Sequence, residues 1–267
     1  MSSKMSQVSL ADGTQVFCIH KREALVLDEH CEGYLDHGIT VDPGDVVFDI
    51  GANIGLFGLR MNQRTDGNIQ IFAFEPIPAI HAVAAANLAP FDGSVVLRAG
   101  VSSEPGEMRF TYYPNTPSLS TAHPGMWQDG DSELTQAVLG NAHNGPMWYG
   151  RLLPRFLASY IAKRLRKGAM EVQCQLMTVS EVIAEHKLVQ IDLLKVDCEG
   201  AELDVLRGVS GEDWPKIKQA VLEVHDVEGH LDEVKDLLSR NGLTEMVVEQ
   251  EPAFINTSLW NVFARRP

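Results

Sequence analysis

Residues 46–55 read VVFDIGANIG, an apolar run that ends in Asp49 and opens onto a turn of small residues, Gly51-Ala52-Asn53-Ile54-Gly55, before an apolar helical pattern resumes. A strand buried on both faces of a parallel sheet has this composition, and so tight a turn leads straight into a helix. Gly51 and Gly55 carry no Cβ, so a ligand can lie against their backbone. The following helix presents free N–H groups to the same place. The stretch predicts an α/β fold that binds a nucleotide-like ligand at the carboxyl end of a parallel strand.

The turn separates two kinds of ligand. A dinucleotide fingerprint needs G-x-G-x-x-G after the strand. Counting from Gly51, its second and third glycine positions hold Asn53 and Leu56. A nicotinamide-dependent oxidoreductase is therefore the distant alternative. Asp49, Gly51, Asn53 and Gly55 instead match the acidic residue and G-x-G-x-G variant of an S-adenosylmethionine turn, with Asn53 as the non-glycine residue most tolerant of left-handed backbone. A second buried strand, IQIFAFEP at 69–76, ends in Glu75. An acid roughly 20 residues past a glycine turn is where a ribose is held by its hydroxyls.

The 267 residues suffice for one large α/β domain, and a formal net charge of -14 disfavours nucleic-acid backbone as a partner. No apolar run is long enough to span a membrane, and MSSKMSQVSLADG has no signal-peptide core, so the expected location is the cytoplasm with no membrane partner. Cys18, Cys31, Cys174 and Cys198 are scattered, without C-x-x-C or zinc spacing, and are expected to be reduced thiols.

Strand and helix patterns alternate from QVFCI at 15–19 to LWNVFAR at 259–265. The reading is an N-terminal cap over 1–44 and a main domain over 45–267. Its sheet is mostly parallel, with TEMVVEQ and LWNVFAR closing it as an antiparallel hairpin. Thr178 and Glu181 form a capping box. Residues 113–170 break the rhythm and read as a lid insertion, with Met126, Trp127, Met147, Trp148 and Tyr149 as candidate walls of an apolar chamber. Its second half, RLLPRFLASYIAKRLRK, places Leu153, Phe156, Leu157, Tyr160, Ile161 and Leu165 at helical spacing. Arg151, Arg155, Lys163, Arg164, Arg166 and Lys167 share the other face. In an acidic chain this basic island is either a solvated face or a dock for an acidic partner or phosphate.

LKVDCEGAE at 194–202 and VLEVHD at 221–226 fall at strand ends on the side of the cofactor turn. Asp197 joins the candidate cofactor contacts on that ground. Methyl transfer to an alcohol needs an aligned nucleophile and a group to take its proton. His225 is the candidate base, with Glu199 as the acid that orients it. A metal site from Asp197, Glu199 and Asp226 is the other reading, though no metal is expected. His123 and His143 lie in the insertion and are weaker candidates.

These motifs resemble the FkbM family of S-adenosylmethionine-dependent methyltransferases. The resemblance rests on YLDHGITVDPGDVVFDIGANIGLF, FAFEP, AGVSS and LLKVDCEGAE with LEVH downstream, and covers about residues 33–250. It implies a Rossmann-like class I methyltransferase fold acting mostly on hydroxyl groups. The implied cofactor contacts are Asp49, Gly51, Asn53, Gly55, Glu75 and the Gly100-Val101-Ser102 backbone. The N-terminal portion is similar to FkbM-type domains of polyketide synthase and peptide synthetase assembly lines, which implies a hydroxyl on a carrier-tethered acyl chain as acceptor. An acidic acyl carrier protein would suit the basic island. Sugar and lipid hydroxyls are the alternative acceptors.

Overall fold

The computed structural model describes residues 5–123, 134–135, 138–139, 154–252, 254–255 and 257–267. In chain order the elements begin with β1 (Ser6–Ser9), β2 (Gln15–Cys18), α1 (Lys21–His30) and a 3₁₀ turn at Cys31–Leu35. Next come β3 (Val46–Ile50), α2 (Leu56–Arg64), β4 (Gln70–Phe74), α3 (Pro78–Leu88), β5 (Ser94–Leu97), β6 (Gly100–Val101) and β7 (Gly106–Tyr112). After the insertion helix α4 (Arg155–Leu165) follow β8 (Met170–Met177), α5 (Val179–His186), β9 (Ile191–Val196), α6 (Glu202–Arg207), β10 (Ile217–His225), α7 (His230–Arg240), β11 (Glu245–Glu249) and β12 (Leu259–Arg265).

Seven strands form the main sheet in the order β11-β12-β10-β9-β3-β4-β5. The run from β10 to β5 is parallel, and β12 runs antiparallel to both β10 and β11. The α/β class and the antiparallel closing pair match the expectation. The closing pair is more than an edge hairpin, because β12 inserts between β11 and β10. EMRFTYY and EVQCQLM lie outside this sheet. As β7 and β8 they pair antiparallel and, with β6, form a separate three-stranded sheet beside it. Hydrophobic alternation identifies a strand but not its partner, so this division was not legible in the pattern.

Successive side chains on a strand point to opposite faces. Phe48, Phe72, Phe74, Leu194 and Leu222 pack on one face with residues of α5, α6 and α7. Val47, Ile71, Ala73, Leu193 and Val221 pack on the other with residues of α1, α2 and α3. Followed to the carboxyl ends of the strands, this second face turns polar. Val47 gives way to Asp49, Leu193 to Lys195, Ala73 to Glu75, and Val221 to Glu223 and His225. The register sets Asp49 directly beside Lys195. A polar row thus closes an apolar face at the end where ligands bind in such sheets.

The N-terminal segment is fastened over that face. Arg60 of α2 donates through Nε and Nη2 to the two carboxylate oxygens of Asp28 at 2.6 and 2.7 Å, and through Nη1 to Asp12 at 2.6 Å. Asn87 of α3 accepts from Phe17 N–H at 2.7 Å and donates to Phe17 O at 3.0 Å and Ile54 O at 2.7 Å, tying β2 to the glycine turn. The capping box of α5 is present as expected, with Glu181 N–H donating to Thr178 Oγ1 at 3.1 Å and Thr178 N–H to Glu181 at 2.9 Å.

In the insertion, α4 starts after Pro154, which supplies the fixed φ of a helix start. Its buried stripe differs from the expected one. Ala158 and Ala162 are fully buried, while Leu157 is 39 % and Tyr160 61 % exposed. The small alanines allow close packing, and Ala162 meets Tyr113, Leu134 and Leu119. The aromatic and methionine walls expected at Met126, Trp127, Met147, Trp148 and Tyr149 lie outside the described residues, as do Leu153, Arg151 and His143.

Candidate active site

A cavity of about 350 Å³ opens at the carboxyl ends of β3, β4, β9 and β10. Its floor is the glycine turn at Gly51–Ile54, with Glu75, Lys195, Asp197, Glu199, Glu223 and His225 around it. One face of α1 and the following 3₁₀ turn closes a side through Glu23, Val26, Leu27, His30, Cys31 and Tyr34. Residues 116–120, Leu134 and Leu165 come from the insertion.

The turn adopts left-handed backbone where the sequence predicts it, with φ +76° at Gly51, +50° at Asn53 and +80° at Gly55. Asn53 accepts the Ile54 N–H on its own side-chain oxygen at 2.8 Å, which steadies that conformation. The two glycines have different reasons to be glycine. A Cβ on Gly51 would stand 1.6 Å from the Asp197 carbonyl oxygen, and one on Gly55 would press on Ala84 and Leu88 of α3 at 3.3 Å. Both make room for the protein's own chain, and Gly51 also lines the cavity.

Of the expected cofactor residues, Gly51, Asn53, Glu75, Gly100, Val101 and Asp197 line the cavity. Asp49, Gly55 and Ser102 stand behind its wall. Asp49 is fully buried and pairs with Lys195, Nζ to Oδ1 3.1 Å. Ser102 donates its N–H to Met177 O at 2.9 Å and packs its carbonyl on Gly208.

Lys195 organises the floor. Its ammonium donates to Gly51 O at 3.1 Å, lies 3.5 Å from Asp197 Oδ2, and sits 5.0 Å from the centre of the Tyr34 ring. Burial disfavours its charge, but Asp49 and Asp197 more than restore it, and its pKa lies above the ordinary lysine value. Burial likewise raises the Asp49 carboxyl, against the pull of Lys195. Tyr34 Oη lies 2.9 Å from Asp197 Oδ2 and 2.7 Å from Glu223 Oε1. One hydroxyl has one proton to donate, so a second proton must reside on one of the two acids. Burial and then the charge of Asp197 push Glu223 up to about 8.

At the far side His225 is 5 % exposed, with Nδ1 3.4 Å from Glu202 Oε1 and Nε2 3.6 Å from Glu199 Oε2. Glu202, which the sequence reading passed over, is the acid nearer the ring, on Nδ1. Glu202 is 2 % exposed and also accepts Gly200 N–H at 2.7 Å, so it fixes the ring and the loop together. Glu199, expected as the orienter, faces the cavity beside Nε2. Burial disfavours the imidazolium, but the Glu202 hydrogen bond and the charges of Glu202, Glu199 and Glu223 outweigh it and push His225 up to about 9. Burial pushes Glu199 up to about 8 against the charge of His225. The pair is therefore rich in protons at neutral pH.

Tyr34, Lys195, Glu202 and Glu223 were missed, yet two carried a signal. Lys195 is a charge inside the otherwise apolar LLKV run, and Glu223 lies two residues before His225 and so on its face of β10. Among the described residues no group of three or more His, Cys, Asp or Glu side chains is arranged to hold a metal ion, so Asp197, Glu199 and Asp226 do not assemble as one. His123 is apart from the main cavity, in a second one with Gly200, Asp204, Arg207 and His230.

An acid-rich cavity at the ends of parallel strands, in a seven-stranded sheet with its next-to-edge strand reversed, defines a class I methyltransferase. The chain belongs to the FkbM methyltransferase family: the profile described as Methyltransferase FkbM domain matches residues 49–243. It is 36% identical over 272 residues to the 31-O-demethyl-FK506 methyltransferase FkbM of Streptomyces tacrolimicus, covering 100% of this chain and 99% of that one. It is also 36% identical over 242 residues to the AMB antimetabolite synthetase AmbE of Pseudomonas aeruginosa, covering 88% of this chain but 11% of the synthetase. A crystal structure of methyltransferase FkbM from Methylobacillus flagellatus KT matches with a TM-score of 0.51 at 11% identity, over 90% of this chain and 51% of that one, and shares the fold. No helix among the described residues is long and apolar enough to cross a membrane.

The methyl donor of this family is S-adenosylmethionine, and the residues fit it. Glu75 is 6 % exposed at the cavity wall, where a ribose diol would satisfy its carboxyl group, which burial has pushed up to about 8. Ile50, Phe74, Ile77 and Ile80 offer apolar walls for a purine, and the excess of acids over Lys195 suits a sulfonium.

Proposed function

We propose that the protein is an O-methyltransferase that methylates a hydroxyl group of a natural-product intermediate. The observation that carries this is His225, held on Nδ1 by buried Glu202 and facing the cavity across from the glycine turn and Glu75. S-adenosylmethionine supplies an electrophilic methyl carbon whose sulfur leaves with the bonding pair. The chain's own part is to bring the acceptor oxygen into line and to take its proton. His225 Nε2 accepts that proton once its own has been given up, and the new O–C bond forms as the O–H bond breaks. Glu202 then balances the imidazolium. A hydroxyl acceptor is also what the name of the S. tacrolimicus relative states for that enzyme.

The test is substitution of His225 by Gln or Ala, assayed by mass spectrometry on hydroxylated polyketide and peptide acceptors. We expect the rate to fall roughly 10²–10⁴-fold with affinity for S-adenosylhomocysteine unchanged. A wild-type rate removes His225 as the base.

The similarity to AmbE favours a second reading of the acceptor, as a hydroxyl on a chain tethered to an acyl carrier protein. Lys163, Arg164 and Lys167 are exposed at the end of α4 and Arg166 is half-buried there, and a carrier's acidic surface suits them. Arg155 begins the same helix. Free sugar and lipid hydroxyls are the comparison substrates in the same assay.

A further inference from the structure

Glu199 has φ +54°, left-handed backbone that a side-chain-bearing residue adopts only when something holds it there. What holds it is visible on both sides. Glu202 accepts the Gly200 N–H, and the Thr121 hydroxyl donates to the Glu199 carbonyl oxygen at 2.6 Å. Thr121 is fully buried, and its hydroxyl accepts His123 N–H at 2.9 Å, so both its polar roles are used. Its backbone is fixed by an exchange of hydrogen bonds with Thr111 of β7, at 2.8 and 3.2 Å. The donor therefore stands on a residue bridged to β7 on both its backbone groups.

Thr121 also ends a strap. Residues 114–121 follow β7, line the cavity through 116–120 and meet the N-terminal helix. His20 Nε2 lies 2.6 Å from Pro114 O, and Glu23 accepts Ser118 N–H at 2.9 Å. Ser118, Leu119 and Ser120 line the cavity between these anchors. The strap thus lines the cavity through residues 116–120 and touches the backbone of Glu199 at its end.

We propose that Thr121 is a positioning residue for methyl transfer: its hydroxyl holds Glu199 in the left-handed conformation that keeps the carboxylate beside His225 Nε2. This rests on the reading of His225 as the proton acceptor. Through the strap, the chamber that receives the acceptor is joined to the group that receives its proton.

The experiment compares Thr121→Val, which keeps the shape and loses the donor, with Thr121→Ser, which keeps the donor. Both are made in the full chain, with the pH–rate profile, kcat, KM and calorimetric affinity for S-adenosylhomocysteine measured. We expect Thr121→Val to lose about 10- to 100-fold in kcat and to shift the midpoint of the pH–rate profile, with cofactor affinity unchanged. Thr121→Ser should remain within about twofold of wild type. Where the valine variant does not fold, Thr121→Cys, a weaker donor of similar size, should give an intermediate kcat. Wild-type kcat and pH profile in the valine or cysteine variant overturn the proposal, as does an equal loss in the serine variant. His225→Ala separates the two readings. If it is inactive while Thr121→Val is unaffected, only the positioning role falls; if it keeps the wild-type rate, the proton-acceptor reading falls with it.

Discussion

Gly51 and Asp197 cross so closely that a β-carbon on the glycine would lie 1.6 Å from the aspartate's carbonyl oxygen. Two parallel strands leave the sheet side by side there, and Asp197 N–H still donates to Ile50 O at 3.0 Å. Gly51→Ala has no conformation that avoids the clash and must also hold φ +76°. We expect a loss of at least about 1–3 kcal/mol of stability and loss of S-adenosylhomocysteine binding. Gly106→Ala, where a Cβ meets nothing within 4 Å, should be close to neutral. Thermal melts with and without ligand check both.

Lys195 neutralises the floor of the site from within. Lys195→Met removes the cation and leaves fully buried Asp49 without its partner. The expected cost is about 3–5 kcal/mol, read by urea unfolding at pH 7. Because Asp49 is then a lone buried acid, the deficit should shrink as the pH falls and the carboxyl takes up a proton.

The proton load on His225 and Glu199 predicts the pH dependence of the rate. With His225 at about 9 and Glu199 at about 8, kcat/KM should rise with pH through that range as protons leave the pair. Glu202→Gln keeps an acceptor for Nδ1 but removes the charge that helps raise His225, so the rising limb should move to lower pH. Stability follows the same linkage. A histidine raised from 6.5 to about 9 contributes fully below its unfolded pKa and loses that contribution as the pH climbs through about 9. Glu202, lowered against burial chiefly by its hydrogen bond to His225, contributes above 4.5 and loses it in acid. The stability gap between wild type and Glu202→Gln should therefore be widest between these limits and narrow on either side.

Tyr34 stands between two acids with one proton to give. If Glu223 carries the second, Glu223→Gln should be mild, because an amide N–H can donate to the tyrosine oxygen as the protonated acid does. Glu223→Leu and Tyr34→Phe each break the bridge and should weaken S-adenosylhomocysteine binding about 5- to 10-fold, the scale of one hydrogen bond. Calorimetry decides; a glutamine variant as weak as the leucine one shows that Glu223 is ionised.

Charge reversal at Arg164 and Lys167 tests the carrier reading. Both are exposed, and Asn115 donates to their carbonyl oxygens at 3.3 and 2.7 Å, which fixes the helix end without using their charges. The variant's KM for a carrier-tethered acceptor should be several-fold higher than that of the wild type, and the wild-type KM should climb toward it as salt screens the attraction, while KM for the free acceptor stays put. Equal KM values in variant and wild type make these residues ordinary surface.

The backbone around the glycine turn was legible because it is local. Asp49, the turn to Gly55 and Glu75 lie on contiguous strand–turn–helix segments, where periodicity and glycine placement report directly on structure. The acceptor half was less so. Glu199 and Glu202 sit three residues apart in one motif, and nothing in their order says which reaches Nδ1 of His225. Glu199 has left-handed backbone, and a hydroxyl from Thr121, far away in the chain, donates to its carbonyl oxygen.

The sequence by itself determined the α/β class, the mostly parallel sheet, the family and its methyl donor, since these follow from short-range pattern and motif. Only the tertiary structure decided that β12 enters between β11 and β10, that β7 and β8 form a sheet of their own, and that Tyr34 and Lys195 meet over Asp197. Those outcomes depend on which surfaces meet after the chain has crossed the sheet. A strand pattern is blind to its neighbour, and a buried charge gains its meaning only from the partner that burial brings to it.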